Sequence, residues 1–220
     1  VASERKLQDS LVQHRKNLLS AFKTGDDLLV AARAYSKRWA EKYLPKVPAM
    51  LGPSFSGSAC LEKGRKDGGM TAVIREYLQE APECDVEPPP GILHQEWGIL
   101  VAEHRVLQAP VPEARACALV LPEPGLKARV VTKSPALLVA RGHEARKRLF
   151  IGLRRDPITR GPMCGRPVTP FLRKGGRLVS SDLETATDLL PLDIVESLVE
   201  GLVDSGRLRP SEAEALRACT

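Results

Sequence analysis

Aromatic side chains are scarce in this 220-residue chain, at 4%, so its interior has to be filled by Leu, Val and Ala rather than by large rings. Long apolar runs are missing too. No stretch approaches the roughly 18 to 20 apolar residues that span a bilayer, and the first residues are charged where a secretory signal would be apolar. A soluble intracellular protein is expected. Cys60, Cys84, Cys117, Cys164 and Cys219 lie far apart, form no CxxC pair and are odd in number. That argues against a zinc cage or a full disulfide framework and predicts reduced thiols. Neither an internal repeat nor a low-complexity tract is present. What remains is ordinary globular material, 43% apolar and 27% charged, with enough chain for one large domain or two small ones. A chain that opens on Val1 and closes on Thr220 just after a helix-like run is expected to be cut from something longer.

Charge is plentiful but unevenly placed. The net +6 conceals a segment from Gly125 to Arg177 in which fourteen Lys and Arg face only Glu144 and Asp156, a local balance of +12. Directly after it, Leu178 to Gly206 has no Lys or Arg and seven carboxylates, Asp182, Glu184, Asp188, Asp193, Glu196, Glu200 and Asp204. A dense cationic stretch attracts polyphosphates and nucleic acid through Coulomb attraction and counterion release. The adjoining carboxylates can hold hard divalent cations. Together the two runs point to phosphate chemistry; either alone also fits a solvated helix face.

Periodicity predicts an α+β chain. Leu7, Leu11, Leu18 and Phe22 share a helical face within residues 3–22, and DDLLVAARAYSKRWAEKY continues as a second helix, so the first 43 residues read as a helical hairpin. Residues 46–69 turn to Pro, Gly and Ser and read as a long loop, followed by a short helix over TAVIREYLQE. Pro82, Pro88, Pro89 and Pro90 make 81–91 the best linker. GILHQEWGILVAEHRVL fits a buried helix or strands equally. A Pro-rich turn is expected over 121–125, then a strand at ARVVT and a helix at EARKRLFIGLRR, whose basic residues suit either a template backbone or plain solvent. RLVSS reads as a strand ending at Asp182, PLDIVESLVEGLVDSG as an amphipathic helix stopped by Gly206, and PSEAEALRA as a helix with Ser211 as N-cap. His14, His94, His104 and the His143–Glu144 neighbours have no triad or metal context and are assigned to structure.

The segment LVSSDLETATDLLPLDIVESL, residues 178–198, carries the most chemistry. Asp182 stands at the end of a short apolar strand, and Asp188 follows at the turn into a helix, an arrangement that can aim both carboxylates into one cleft. Nucleotidyl transfer needs such a strand-end anion, because two Mg²⁺ ions must bridge the triphosphate and activate the 3′-hydroxyl. Asp182 and the Leu183 carbonyl would be two of the oxygen ligands; a further carboxylate would have to come from elsewhere. Asp188 could accept a hydrogen bond from the ribose 2′-hydroxyl, the group that separates RNA from DNA substrates.

SSDLETATD resembles motif A of viral RNA-dependent RNA polymerases, and its aspartate spacing, with Ala-Thr before the second, is similar to that of the narnavirus, ourmia-like virus (botourmiavirus) and levivirus group. LKARVVTK at 126–133 resembles their motif F, SACLEKGRKDGG at 58–69 a pre-palm segment, and GRPVTP at 165–170 the stretch before motif A. The resemblance spans about residues 58–200. It implies a right-hand polymerase fragment: a helical N-terminal and fingers region over 1–124, a basic fingers segment with motif F over 125–176, the first palm strand and helix over 177–206, and the start of a further helical segment over 207–220. It also implies Asp182 as catalytic, metal-binding aspartate, Asp188 as 2′-hydroxyl selector, and Lys127, Arg129 and Lys133 as contacts to nucleotide phosphates. Mg²⁺, with Mn²⁺ as the alternative, would be the cofactor. RNA template and product, ribonucleoside triphosphates and the remainder of the polymerase chain would be the partners. The setting would be host cytoplasm, with mitochondrial replication left open. Nothing after residue 200 resembles motif B, the second aspartate pair or the general-acid lysine of such enzymes.

Other readings compete. Asp182 and Asp188 also suit a helix-entry cap and a surface acid, and Lys127, Arg129 and Lys133 suit an edge strand guarded by charge. The basic block alone would serve a non-catalytic RNA-binding protein. Asp182 as a strand-end nucleophile would serve a phosphotransferase, although Glu184 followed by Thr185 is in the wrong frame for the usual signature. Gly25-Asp26-Asp27 matches the best-known polymerase signature in letters only. It sits between two helical patterns rather than between apolar strands, so Asp26 and Asp27 are assigned to a helix start.

Overall fold

The computed structural model describes residues 4–19, 23–46, 52–80, 87–125, 127–165 and 190–220. In chain order the elements are α1 (Glu4–Leu19), α2 (Asp26–Tyr43), α3 (Gly69–Glu80), α4 (His94–Gln108), β1 (Cys117–Glu123), β2 (Lys127–Lys133), α5 (Ala136–Arg155), α6 (Pro157–Met163), α7 (Leu192–Asp204) and α8 (Pro210–Ala218). Helices with a small two-stranded sheet make the described chain α+β, as the periodicity predicts. The chain divides into two compact units. One comprises Val1–Arg15, Ala49–Arg146 and Arg209–Thr220, the other Lys16–Pro48 and Lys147–Leu208.

In the first unit the core is Cys60, Met70, Ile74, Val106, Ala136 and Ala140, with Val73, Leu78, Leu137 and Val139 packed around it. Met70, Ile74 and Leu78 recur every four residues on one face of α3, while Ala136 and Ala140 leave α5 slim where it meets that face. The loop ahead of α3 is closed by hydrogen bonds rather than by apolar mass. Cys60 N donates to the Lys63 carbonyl at 3.0 Å, and Met70 N to the Ser58 carbonyl at 2.9 Å. Gly69 has φ +55°, and a Cβ there would stand 2.3 Å from the Ser58 carbonyl oxygen, so only glycine fits at the start of α3.

The second unit is built on α2 against α7. Ala40, Leu44 and Leu202 form its core with Trp39, Leu149 and Leu208. The helices touch backbone to backbone at Gly201, where a Cβ would lie 2.1 Å from both the Arg33 carbonyl oxygen and Ser36 Oγ. Arg33 Nε binds Asp204 Oδ2 at 2.6 Å near one end of the pair. At the other, Asp193 Oδ2 accepts from Thr24 N at 2.8 Å and Oδ1 from Thr24 Oγ1 at 2.8 Å. Trp39 Nε1 donates to Asp156 Oδ2 at 2.8 Å, and Asp156 Oδ1 accepts from Ile158 N at 3.0 Å, capping α6.

Several expectations change. The region of the expected turn over 121–125 is mostly strand: β1 runs to Glu123 and only Pro124 and Gly125 turn. A two-stranded sheet consists of edges, where proline is tolerated, so Pro122 does not break it. The ambiguous stretch after the linker is helix α4, and of it only Val106 and Leu107 are buried. Ser211 is not an N-cap. Arg209 holds that place, Pro210 takes the first helical position, and Glu212 Oε2 accepts from Arg209 N at 2.8 Å. The basic helix is not a plain solvated face either, because Arg141, Glu144 and Arg148 on α5 are all buried. Helix α6 follows Asp156 where no separate helix is expected. The expected strand at RLVSS, with Asp182, Leu183 and Asp188, lies outside the described residues, as does GRPVTP apart from Gly165.

Candidate functional site

Among the described residues, the hairpin of β1 and β2 carries the three cations that the sequence assigns to nucleotide phosphates, Lys127, Arg129 and Lys133. Its antiparallel register pairs Cys117 with Lys133, Leu119 with Val131, Leu121 with Arg129 and Glu123 with Lys127. Side chains alternate between the two faces of a strand, and residues directly opposite share a face. Lys127, Arg129 and Lys133 therefore stand on the same face of β2, together with Val131, while Ala128, Val130 and Thr132 line the other. Strand rise spreads the three cations over about 20 Å. One carboxylate shares their face: Glu123 Oε1 lies 3.1 Å from Arg129 Nε. The Arg129 side chain is 66% exposed, so this pair leaves the guanidinium open to a further anion. Such a face draws anions over roughly a Debye length of about 8 Å at physiological salt.

The root of the hairpin is tied down. Just beyond Lys133, the Ser134 carbonyl accepts from Leu61 N at 3.0 Å. Both Glu62 carboxylate oxygens accept from Ala136 N at 3.1 Å, at the start of α5. An anion at a helix N-terminus meets unsatisfied N–H groups and the positive end of the helix dipole. The loop of residues 58–69 and the strand of residues 127–133 thus meet at this root. Sequence reasoning noted both segments but not Glu62, because a carboxylate acting on a helix 74 residues away leaves no local pattern.

Two other features fit structural roles. Gly25 is the N-cap of α2, with Asp26 and Asp27 in its first turn, as the sequence reading assigns them. A cleft of about 740 Å³ is lined by His104, Arg141, Arg209, Ser211 and Glu214, among others. Its cations are already engaged: Arg141 donates to the Ala109 carbonyl and to Glu214 Oε2, both at 2.6 Å, and Arg209 lies 3.9 Å from Glu144. Ser211 Oγ donates to Glu144 Oε2 at 3.3 Å. Among the described residues no cluster of three or more His, Cys, Asp or Glu could hold a metal ion, and no helix there is long and apolar enough to cross a membrane. Asp193 lies in the first turn of α7. Hydrogen bonds from the Thr24 backbone N–H first, and from the Thr24 hydroxyl and Ile194 N, hold its carboxyl below the usual carboxylate range, against an opposing effect of burial.

Compared with known proteins, the chain aligns over 96% of its length, at 34% identity across 226 positions, with the RNA-directed RNA polymerase of Saccharomyces 20S RNA narnavirus. The chain is similar to narnavirus RNA-directed RNA polymerases. The RNA-directed RNA polymerase of Saccharomyces 23S RNA narnavirus aligns with 91% of the chain at 29% identity. The chain spans about a quarter of these relatives, 27% and 24% of their lengths. No family model matches it and no solved structure does. The likeness to the narnavirus polymerases reaches beyond the 58–200 read from motifs and takes in the N-terminal helices, whose amphipathic pattern carries no polymerase-specific letters.

Proposed function

We propose that this chain is the fingers and early palm of a viral RNA-directed RNA polymerase that extends RNA on an RNA template from ribonucleoside triphosphates. Residues 1–124 are its helical N-terminal and fingers region, 125–176 its basic fingers segment, 177–206 the opening of the palm and 207–220 the start of the next helical segment. The observation that carries this reading is the likeness to a narnavirus polymerase over 96% of the chain. The common face of Lys127, Arg129 and Lys133 supports it, since it presents positive charge to phosphate groups from one side. In this reading those three side chains bind phosphate oxygens of the incoming nucleotide, and the Asp188 carboxylate accepts the ribose 2′-hydroxyl. Asp182 and the Leu183 carbonyl supply oxygen donors of the hard type that Mg²⁺ or Mn²⁺ prefers. Bound there with ligands from the remainder of the polymerase chain, the ions would stabilise the charge that develops on the leaving pyrophosphate.

Single-nucleotide extension of an RNA primer on an RNA template by the full polymerase tests the reading. The wild-type enzyme is expected to prefer ribo- over deoxynucleotides, and Asp188→Ala to lower that preference by about tenfold, the worth of one hydrogen bond of about 1.4 kcal/mol. Absence of RNA-templated extension by the wild-type enzyme would overturn the assignment; an unchanged preference in the variant would make Asp188 a structural acid.

A further inference from the structure

We propose that Glu62 is a positioning residue for nucleotide binding, acting through the root of the β1–β2 hairpin; this deepens the polymerase reading and rests on it. Lys127, Arg129 and Lys133 reach solvent from a two-stranded ribbon, and a ribbon of two strands is weak unless something else holds it. Its register with β1 aligns the strands with each other but does not fix the aim of the ribbon. Aim is set where the chain leaves β2. There, within three residues of Lys133, two successive residues of the 58–69 loop grip it: Leu61 N on the Ser134 carbonyl, and the Glu62 carboxylate on Ala136 N.

The gripping loop is itself rigid. Cys60, next to Leu61, is buried in the core with Met70 and Ile74. Its thiol accepts from Lys63 N at 3.4 Å, and Lys63 forms an ion pair with Glu76 of α3. Glu62 therefore projects from a turn anchored on both sides and reaches the first N–H of α5. Because α5 and β2 are separated only by Ser134 and Pro135, and proline fixes its own φ, a displacement at Ala136 passes directly to Lys133. A pivot at one end of a ribbon about 20 Å long moves its tip more than its root, so loosening Glu62 spreads the positions of Arg129 and Lys127 as well. Glu62 touches no substrate in this account; it narrows the range of places from which the cations meet a triphosphate.

The test is steady-state nucleotide incorporation by the full polymerase, with Glu62→Ala, Glu62→Gln, Lys133→Ala and the Glu62→Ala/Lys133→Ala double variant. Glu62→Ala should raise KM for nucleotide about fivefold with kcat and RNA affinity little changed. Glu62→Gln, which keeps one acceptor for Ala136 N, should recover most of that loss. In the double variant the KM effects should fall short of the product of the single ones, because the share of the Glu62 effect that passes through Lys133 is already lost. If Lys133→Ala leaves KM unchanged, the reading of the hairpin as a phosphate site fails. If Lys133→Ala raises KM while the Glu62 variants do not, or if the two effects multiply independently, the positioning role of Glu62 is overturned and the hairpin reading stands. Should Glu62→Ala not fold, Glu62→Asp, whose carboxylate is one methylene short of reaching Ala136 N, replaces it in the same cycle with Lys133→Ala: the same rise in KM supports the positioning role and an unchanged KM overturns it.

Discussion

At the scale of single residues, three positions hold the second unit together for reasons visible only in three dimensions. Gly201 lies in the middle of α7, where glycine is disfavoured by about 1 kcal/mol relative to alanine. It is required there because a Cβ would meet the Arg33 carbonyl and Ser36 Oγ at 2.1 Å. Gly201→Ala should therefore lower stability by about 1 to 3 kcal/mol despite the better helix propensity, as overpacking does; a higher denaturation midpoint would show that the helices are not in contact at this point. Thr24 and Asp193 form the second device. Donation by the Thr24 backbone N–H, and then by its hydroxyl and Ile194 N, keeps the Asp193 carboxyl below its ordinary value. Since the folded value lies below the unfolded one, the contact stabilises fully above the unfolded carboxylate range and is lost as pH falls through the folded value. The gap in melting temperature between wild type and Asp193→Asn should be open near about pH 6 and close toward about pH 3. A gap independent of pH would remove charge from the explanation. None of these pairings was legible beforehand: Thr24 and Asp193 are 169 residues apart, and the letters of neither one select the other.

At the scale of elements, the regular helices were legible and the irregular junctions were not. The second helix was expected over DDLLVAARAYSKRWAEKY and α2 occupies those residues, because Ala-rich sequence with acids in the first turn leaves little choice. Helix α7 ends before Gly206, as expected. Strand β1 was missed because Pro122 and Pro124 suggested a turn, and α6 was missed because its initiating signals, Asp156 and Pro157, sit directly at the end of α5. Buried charge on α5 was also invisible, since a run of Lys and Arg gives no indication of which members turn inward. Asp156 joins three elements, capping α6 through Ile158 N and accepting the Trp39 indole N–H of α2 while almost fully buried. Asp156→Ala should cost about 2 to 4 kcal/mol from the lost cap and the indole N–H left without its partner. It should also shift the Trp39 fluorescence; unchanged emission and stability would show that the junction is held by packing alone.

At the scale of the whole molecule, the charge partition and motif order in the sequence point to a candidate site on two segments, 127–133 and 182–188. The resemblance of LKARVVTK to motif F singles out Lys127, Arg129 and Lys133, and the strand register puts all three on one face. Asp182, Leu183 and Asp188 lie outside the described residues, and the roles proposed for them rest on motif spacing and resemblance. Two independent consequences follow for the assembled polymerase. Replacing Lys127, Arg129 and Lys133 together by Ala should weaken nucleotide binding and reduce the slope of log nucleotide affinity against log salt, because the lost contacts are ionic and screened by salt. An unaltered slope would mean that the hairpin faces no phosphate. Template-directed nucleotide incorporation by the full polymerase carrying Asp182→Asn decides whether this carboxylate holds the catalytic metal. Incorporation should be abolished while RNA is still bound nearly as tightly as by the wild type; synthesis at the wild-type rate would refute the metal role.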